Sequence, residues 1–327
     1  MKSTIIYSLL AAAAACGMAF GQTTAYTTPV GYSTTSLEPN KYNLVSVTLH
    51  NASIYAGVIS AESSETVTSQ GANFTSLLQS GDSYVLELPD GTIQEITSWN
   101  GDSLTTPDDI TAKVVPETTT FILRKATTVA GLFGASNAVG LTPDSDDDYT
   151  SGNDLVLIPN ASGAFDTVYY YDNGSDPGGW FDDLGNSADS KPLIYADSLF
   201  IQRGAGSAVP LVIAGEIKKT PTSGVLTPGY NFVGSVSPVG LTVSSSGLSS
   251  FLTGGDSEES ADNILLQNAN GTYRTIYLFN DGESPVAWFD TLGEPADELS
   301  LDGGFLIFNR GATKPATLSV PSSYNDL

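Results

Sequence analysis

Residues Asp154–Asp189 read DLVLIPNASGAFDTVYYYDNGSDPGGWFDDLGNSAD, and Asp262–Asp297 read DNILLQNANGTYRTIYLFNDGESPVAWFDTLGEPAD. The two stretches align without a gap, Gly163 on Gly271, and nearly half of their positions are identical. Self-similarity of this length marks an internal duplication. Each copy reads as β-structure. In the second, Asn270-Gly271 is a hairpin turn between Ile264-Leu265-Leu266 and the run Tyr273–Phe279. Tyr273, Thr275, Tyr277 and Phe279 fall on one face of that run, with Ile276 and Leu278 on the other. Apolar residues on both faces predict a strand buried between layers or at a module junction.

The match extends outward. Leu199-Phe200-Ile201-Gln202-Arg203-Gly204-Ala205 pairs with Leu306-Ile307-Phe308-Asn309-Arg310-Gly311-Ala312, and Val139-Gly140-Leu141-Thr142 pairs with Val239-Gly240-Leu241-Thr242. A fainter copy lies earlier, in Tyr84–Leu88 and Phe121–Ala126, without the Trp-Phe-Asp segment. Tyr42-Asn43-Leu44-Val45 and Tyr230-Asn231-Phe232-Val233 open the first and last units after a proline turn. These relations predict an N-terminal divergent module over 22–137, a central repeat over 138–221 and a C-terminal repeat over 222–327. The expected class is all-β, built of internally duplicated antiparallel modules packed side by side. Irregular strand spacing favours sandwiches or half-sandwiches over a closed barrel or solenoid. Only Phe74–Leu78 and Leu248–Leu252 offer a turn of helix each.

The first 21 residues carry an address. Lys2 precedes an apolar stretch through Leu9, Leu10 and Ala15, and Ala19 and Gly21 occupy the recognition positions of a signal-peptide cut. The expected mature chain starts at Gln22. Cys16 follows Ala13-Ala14-Ala15, so lipid attachment is the minority alternative; otherwise the only cysteine leaves with the signal and the mature chain has no disulfide. The stretch is shorter than the roughly 20 apolar residues of a membrane span, and no later run matches it. The predicted destination is the exterior, the cell surface or the periplasm.

A net charge of −24 excludes the basic face that a phosphate backbone needs, so nucleic acid is not an expected partner. The 40% of hydrophobic residues is enough to support a core and argues against global disorder. The repeated Trp180-Phe181-Asp182 and Trp288-Phe289-Asp290 offer two readings. As a ligand site, an exposed indole stacks on a sugar ring while the carboxylate binds its hydroxyls. As packing, the indole plugs the sheet and the aspartate caps the next turn, which duplication favours. Asp144, Asp146 and Asp148 alternate as in calcium loops, but Tyr149 and Leu155 stand where such a loop wants Gly and Glu. They are the weak calcium candidates, against a solvated linker. His50 is the only histidine, no Gly-x-Ser-x-Gly elbow accompanies it, and abundant carboxylates (Asp183, Asp189, Glu294 and Asp297 among them) identify no acid–base pair. No catalytic residue or bound cofactor is therefore predicted.

The order of several short motifs carries a family resemblance: Thr28-Pro29-Val30-Gly31-Tyr32, the Tyr-Asn-Leu-Val strand, Gly131-Leu132-Phe133-Gly134, Asp154-Leu155-Val156-Leu157, Gly179-Trp180, Leu199–Arg203 and Pro228-Gly229-Tyr230-Asn231. In this order the chain resembles an uncharacterised family of exported verrucomicrobial proteins. The resemblance implies export and one architecture over nearly the whole mature chain, and transfers no catalytic residues. The expected function is a non-enzymatic structural or adhesive envelope protein, with self-association or extracellular polysaccharide and envelope components as partners. The alternatives are a carbohydrate-binding module array and a carboxylate-dependent polysaccharide hydrolase.

Overall fold

The structure, a computed structural model, describes residues 30–145, 152–160, 162–175, 177–194, 196–325 and 327. Strands dominate it, joined by two single-turn helices and a few 3-10 turns. The chain is all-β, with every sheet antiparallel.

The C-terminal repeat is the simplest copy. Its sheet runs in the order β19 (Gly229–Gly234), β23 (Gly304–Asn309), β20 (Asn263–Gln267), β21 (Tyr273–Phe279) and β22 (Ala287–Asp290). A ribbon of β18 (Thr222–Leu226) and β24 (Lys314–Leu318) faces that sheet. Alternation places Ile264, Ile276, Leu278, Trp288, Phe305 and Ile307 inward, where they meet Leu226, Ala316 and Leu318 of the ribbon. This repeat is thus a lopsided sandwich, five strands against two.

The central repeat has the same order: β2 (Lys41–Ser46), β16 (Ser198–Arg203), β12 (Leu155–Pro159), β13 (Phe165–Tyr171) and β14 (Gly179–Asp182). Its ribbon is β1 (Val30–Leu37) with β17 (Val209–Glu216), and β11 (Thr127–Thr128) forms a second, two-residue pair with β15 (Pro192–Leu193). The expected boundary at 137/138 is corrected here, because β1 and β2 belong to the central repeat. Between His50 and Ala126 that repeat is interrupted by an inserted module. One sheet of the insert holds β3 (Ser53–Val58), β10 (Thr120–Lys125), β6 (Tyr84–Glu87) and β7 (Ile93–Ile96). The other holds β4 (Ala61–Ser63), β5 (Thr66–Thr68), β9 (Ser103–Thr105) and β8 (Ser98–Asn100), with helix α1 (Phe74–Leu77) beside them. The β3-β10-β6-β7 order repeats the first-strand, last-strand, hairpin plan of the other sheets, which agrees with the fainter copy.

Two sequence matches are displaced in space. Gly204 N donates to Asp154 Oδ1 at 2.8 Å, and in the other copy it is Arg310 N that donates to Asp262 Oδ1 at 2.8 Å. The register therefore sets Gly204 on Arg310 and Arg203 on Asn309, one residue from the Arg-Gly-Ala match. A slip of one would have turned the buried face of β16 to the outside. Packing kept Ile201 with Ile307 and let the arginines part: Arg203 pairs with buried Asp154 at 2.9 Å, whereas Lys314 pairs with Asp262. The two Val-Gly-Leu-Thr segments also differ in place. Thr142 N and Thr253 N each donate at 2.7 Å to the equivalent carboxylates of Asp154 and Asp262. Thr242 instead occupies the place of Thr128, the N-cap of helix α2 (Val129–Phe133); each threonine Oγ1 accepts from the amide three residues on, Gly131 N and Ser245 N.

The central and C-terminal repeats pack through β2 and β16 against β19 and β23. Ser198 and Gly304 are equivalent residues and meet there, so the contact has the self-complementary character of a two-fold interface. Phe165, Phe200 and Phe232 fill it: Phe232 meets the other two edge to face at 5.1 and 5.3 Å between ring centres, and Phe165 and Phe200 are tilted to each other at 6.1 Å.

Candidate functional site

The repeated tryptophans are core. Trp180 is 1% exposed and Trp288 is 3% exposed. Trp180 packs on Phe133 and Tyr170, and its Nε1 donates to Gly134 O at 2.9 Å. Neither indole is open to a sugar ring, which corrects the platform reading, because each is the plug between its sheet and the opposite layer. The aspartates cap turns. Asp182 Oδ1 accepts from Leu184 N and Asn186 N, and Asp290 Oδ1 accepts from Leu292 N and Glu294 N. Asp290 also pairs with Arg274 at 2.7 Å. Both carboxyls are held below the usual range, Asp182 chiefly by the Asn186 amide and Asp290 chiefly by the Glu294 N–H.

Asp144 is buried beside β13, where its backbone bonds to Tyr170 O and Asp172 N. Asp146 and Asp148 lie outside the described residues. Among the described residues no three His, Cys, Asp or Glu side chains converge as metal ligands. No helix among them is long and apolar enough to cross a membrane.

A buried charge cluster marks the junction of the three modules. Arg124 of the insert reaches Glu216 of β17 at 2.7 Å and Glu87 of β6 at 3.5 Å. Lys218, on the link to the C-terminal repeat, reaches Glu87 at 2.5 Å. Burial pushes the Glu87 carboxyl up, but Lys218, Thr220 and Arg124 together pull it below its ordinary value. His50, 2% exposed beside them, is lowered to about 4 by burial and by the Arg124 charge. Cation and carboxylate are matched here two for two. The cluster therefore fastens the insert to its neighbours.

One open feature is a cleft where the repeats meet. A cavity of about 420 Å³ lies between the Pro159–Ala164 turn of the central repeat and β18 and β19 of the C-terminal one. A second hollow of about 310 Å³ continues from it past Asp166 and Lys191 to Glu95 of the insert, and the two share Pro159, Asn160 and Asp197. Asp197 is exposed at the cleft, and desolvation by the protein crowded about its carboxyl pushes it up to about 6. Asp166 behaves oppositely, held low first by a bond from Lys191 and then by one from Asn160. Tyr230 stands at the cavity, 61% exposed, with its ring 4.8 Å from that of Phe308. These volumes suit a small ligand or one or two sugar units.

Sequence reasoning passed over Asp197, Tyr230 and Pro159, since no local motif joins residues so far apart. One signal was legible in the aligned repeats: Pro159 stands where the other copy has Gln267. No family model matches the chain, and no curated protein or solved structure matches it either.

Proposed function

We propose that this is an exported, non-enzymatic structural or adhesive β-repeat protein of the cell envelope or its surroundings. The observation that supports this most is the clasp of the two repeats through their own equivalents, Ser198 against Gly304. Together with the buried charge cluster it suits a stiff array that presents surface. The acidic charge suits a hydrated exterior, with polysaccharide or envelope components as partners. The cleft beside Tyr230 favours a second reading, a carbohydrate-binding module array.

The deciding experiment incubates the chain from Gln22 onward with envelope preparations and a panel of polysaccharides, following retention, self-assembly and release of sugar. Retention or assembly without release supports the adhesive reading. Release that disappears in Asp197→Asn or Asp166→Asn overturns it in favour of a hydrolase.

A further inference from the structure

Thr120, Ser198 and Gly304 each open the last strand of a sheet, and each is followed by an inward apolar residue, Phe121, Leu199 or Phe305. Across the ladder they face Val58, Ser46 and Gly234 on the first strand. Two residues on, Ile122, Phe200 and Leu306 face Ala56, Leu44 and Phe232. The three sets are one patch, the outer face of the first and last strands, present once in the insert and once in each full repeat.

In the two full repeats this patch is closed. Each covers the other, Ser198 against Gly304, and every patch residue there is buried or half-buried. In the insert Ala56, Val58 and Thr120 are exposed, and Ile122 is half-buried. A hollow of about 450 Å³ lies over these four, with Pro89 and Thr220 at its side. Glu87, the charged residue of the hollow, is already matched by Lys218.

We infer that two copies of the chain meet through this face, insert against insert, about a two-fold axis at Thr120, as the central and C-terminal repeats meet at Ser198 and Gly304. The inference rests on the structural reading and gives it a contact for self-association. Two of the three equivalent faces already cover each other within the chain, so the third extends an interface that this fold makes with its own kind. Charge agrees. At net −24 two chains repel over most of their surfaces, and the repulsion is least at an uncharged patch. Shape agrees too. Thr120 and Val58 stand where the full repeats have serine or glycine, and Ala56 stands where they have Leu44 and Phe232. The patch thus carries a projection and a recess side by side, which a two-fold contact needs. Val58 of each copy enters the space over Ala56 of the other and buries apolar surface on both.

The test follows the chain from Gln22 onward by sedimentation velocity at concentrations up to about 1 mM. A reversible dimer is expected. Val58→Lys places like charges in both halves of the contact and is expected to weaken it at least about tenfold, with melting unchanged. Should that variant not fold, a single cysteine decides, since the chain from Gln22 has none. Thr120→Cys lies at the axis and is expected to form an intermolecular disulfide, with oxidised glutathione as oxidant, faster than the equally exposed Ser98→Cys on β8. A monomer at every concentration overturns the inference. So does full dimerisation in a folded Val58→Lys, or a disulfide that forms no faster in Thr120→Cys than in Ser98→Cys. A chain that dimerises only when shortened to begin at Val30 also overturns it, and gives the face to residues 22–29. A monomer that stays on envelope material loses this contact and keeps the adhesive reading.

Discussion

Ser198 and Gly304 hold equivalent positions in the two repeats and face each other across their interface. A β-carbon placed on Gly304 would lie 2.8 Å from Ser198 Cβ and 3.0 Å from the Val45 carbonyl. The glycine backbone has no need of a left-handed conformation here, so the constraint is the close approach of two sheets. Gly304→Ala is expected to cost about 1–3 kcal/mol, the usual range for overpacking, read from urea unfolding. Unchanged stability would mean that the repeats separate easily.

The tryptophans are equivalent plugs with unequal bonds. Trp180→Ala and Trp288→Ala should each cost about 3–5 kcal/mol in equilibrium melts. Trp180→Phe is expected to lose about 1 kcal/mol more than Trp288→Phe, because it alone gives up the bond to Gly134 O. Wild-type melting of either alanine variant would return the indoles to the surface.

The junction cluster predicts a strong effect of removing one charge. Lys218→Met leaves Glu87 buried with Arg124 only at 3.5 Å, and is expected to cost about 3–5 kcal/mol. Limited proteolysis should then cut the insert free of the repeats. A variant as protease-resistant as the native chain would place the fastening elsewhere.

Two groups set opposite pH windows. Asp197 at about 6 lies above its ordinary 3.8, so its contribution to stability is full below about 3.8 and lost as pH rises through 6. Asp197→Asn should therefore melt above the native chain at pH 7 and level with it below about pH 3.8. His50 at about 4 lies below its ordinary 6.5, so its contribution is full above 6.5 and lost as pH falls towards 4. His50→Gln should flatten that acid-side loss; melts of both variants across pH 3.5–8 check the signs.

The sequence determined what short range and repetition determine. Alternating apolar runs, the Asn270-Gly271 turn and the ungapped match of Asp154–Asp189 with Asp262–Asp297 were enough for an all-β, duplicated chain. Even the turn-capping of Asp182 and Asp290 was legible, since each bond spans four residues or fewer. What the tertiary structure decided lies at long range. Alternation alone cannot separate registers one residue apart, so Arg203 and Arg310 looked equivalent until Asp154 and Asp262 fixed the ladders. Nor does any local pattern tell β2 to pair with β16, which lies more than 150 residues away beyond an inserted module. The cleft has the same origin: Pro159, Asp197 and Tyr230 meet only because two sheets pack edge against edge, and packing of that kind is written in no single stretch of the chain.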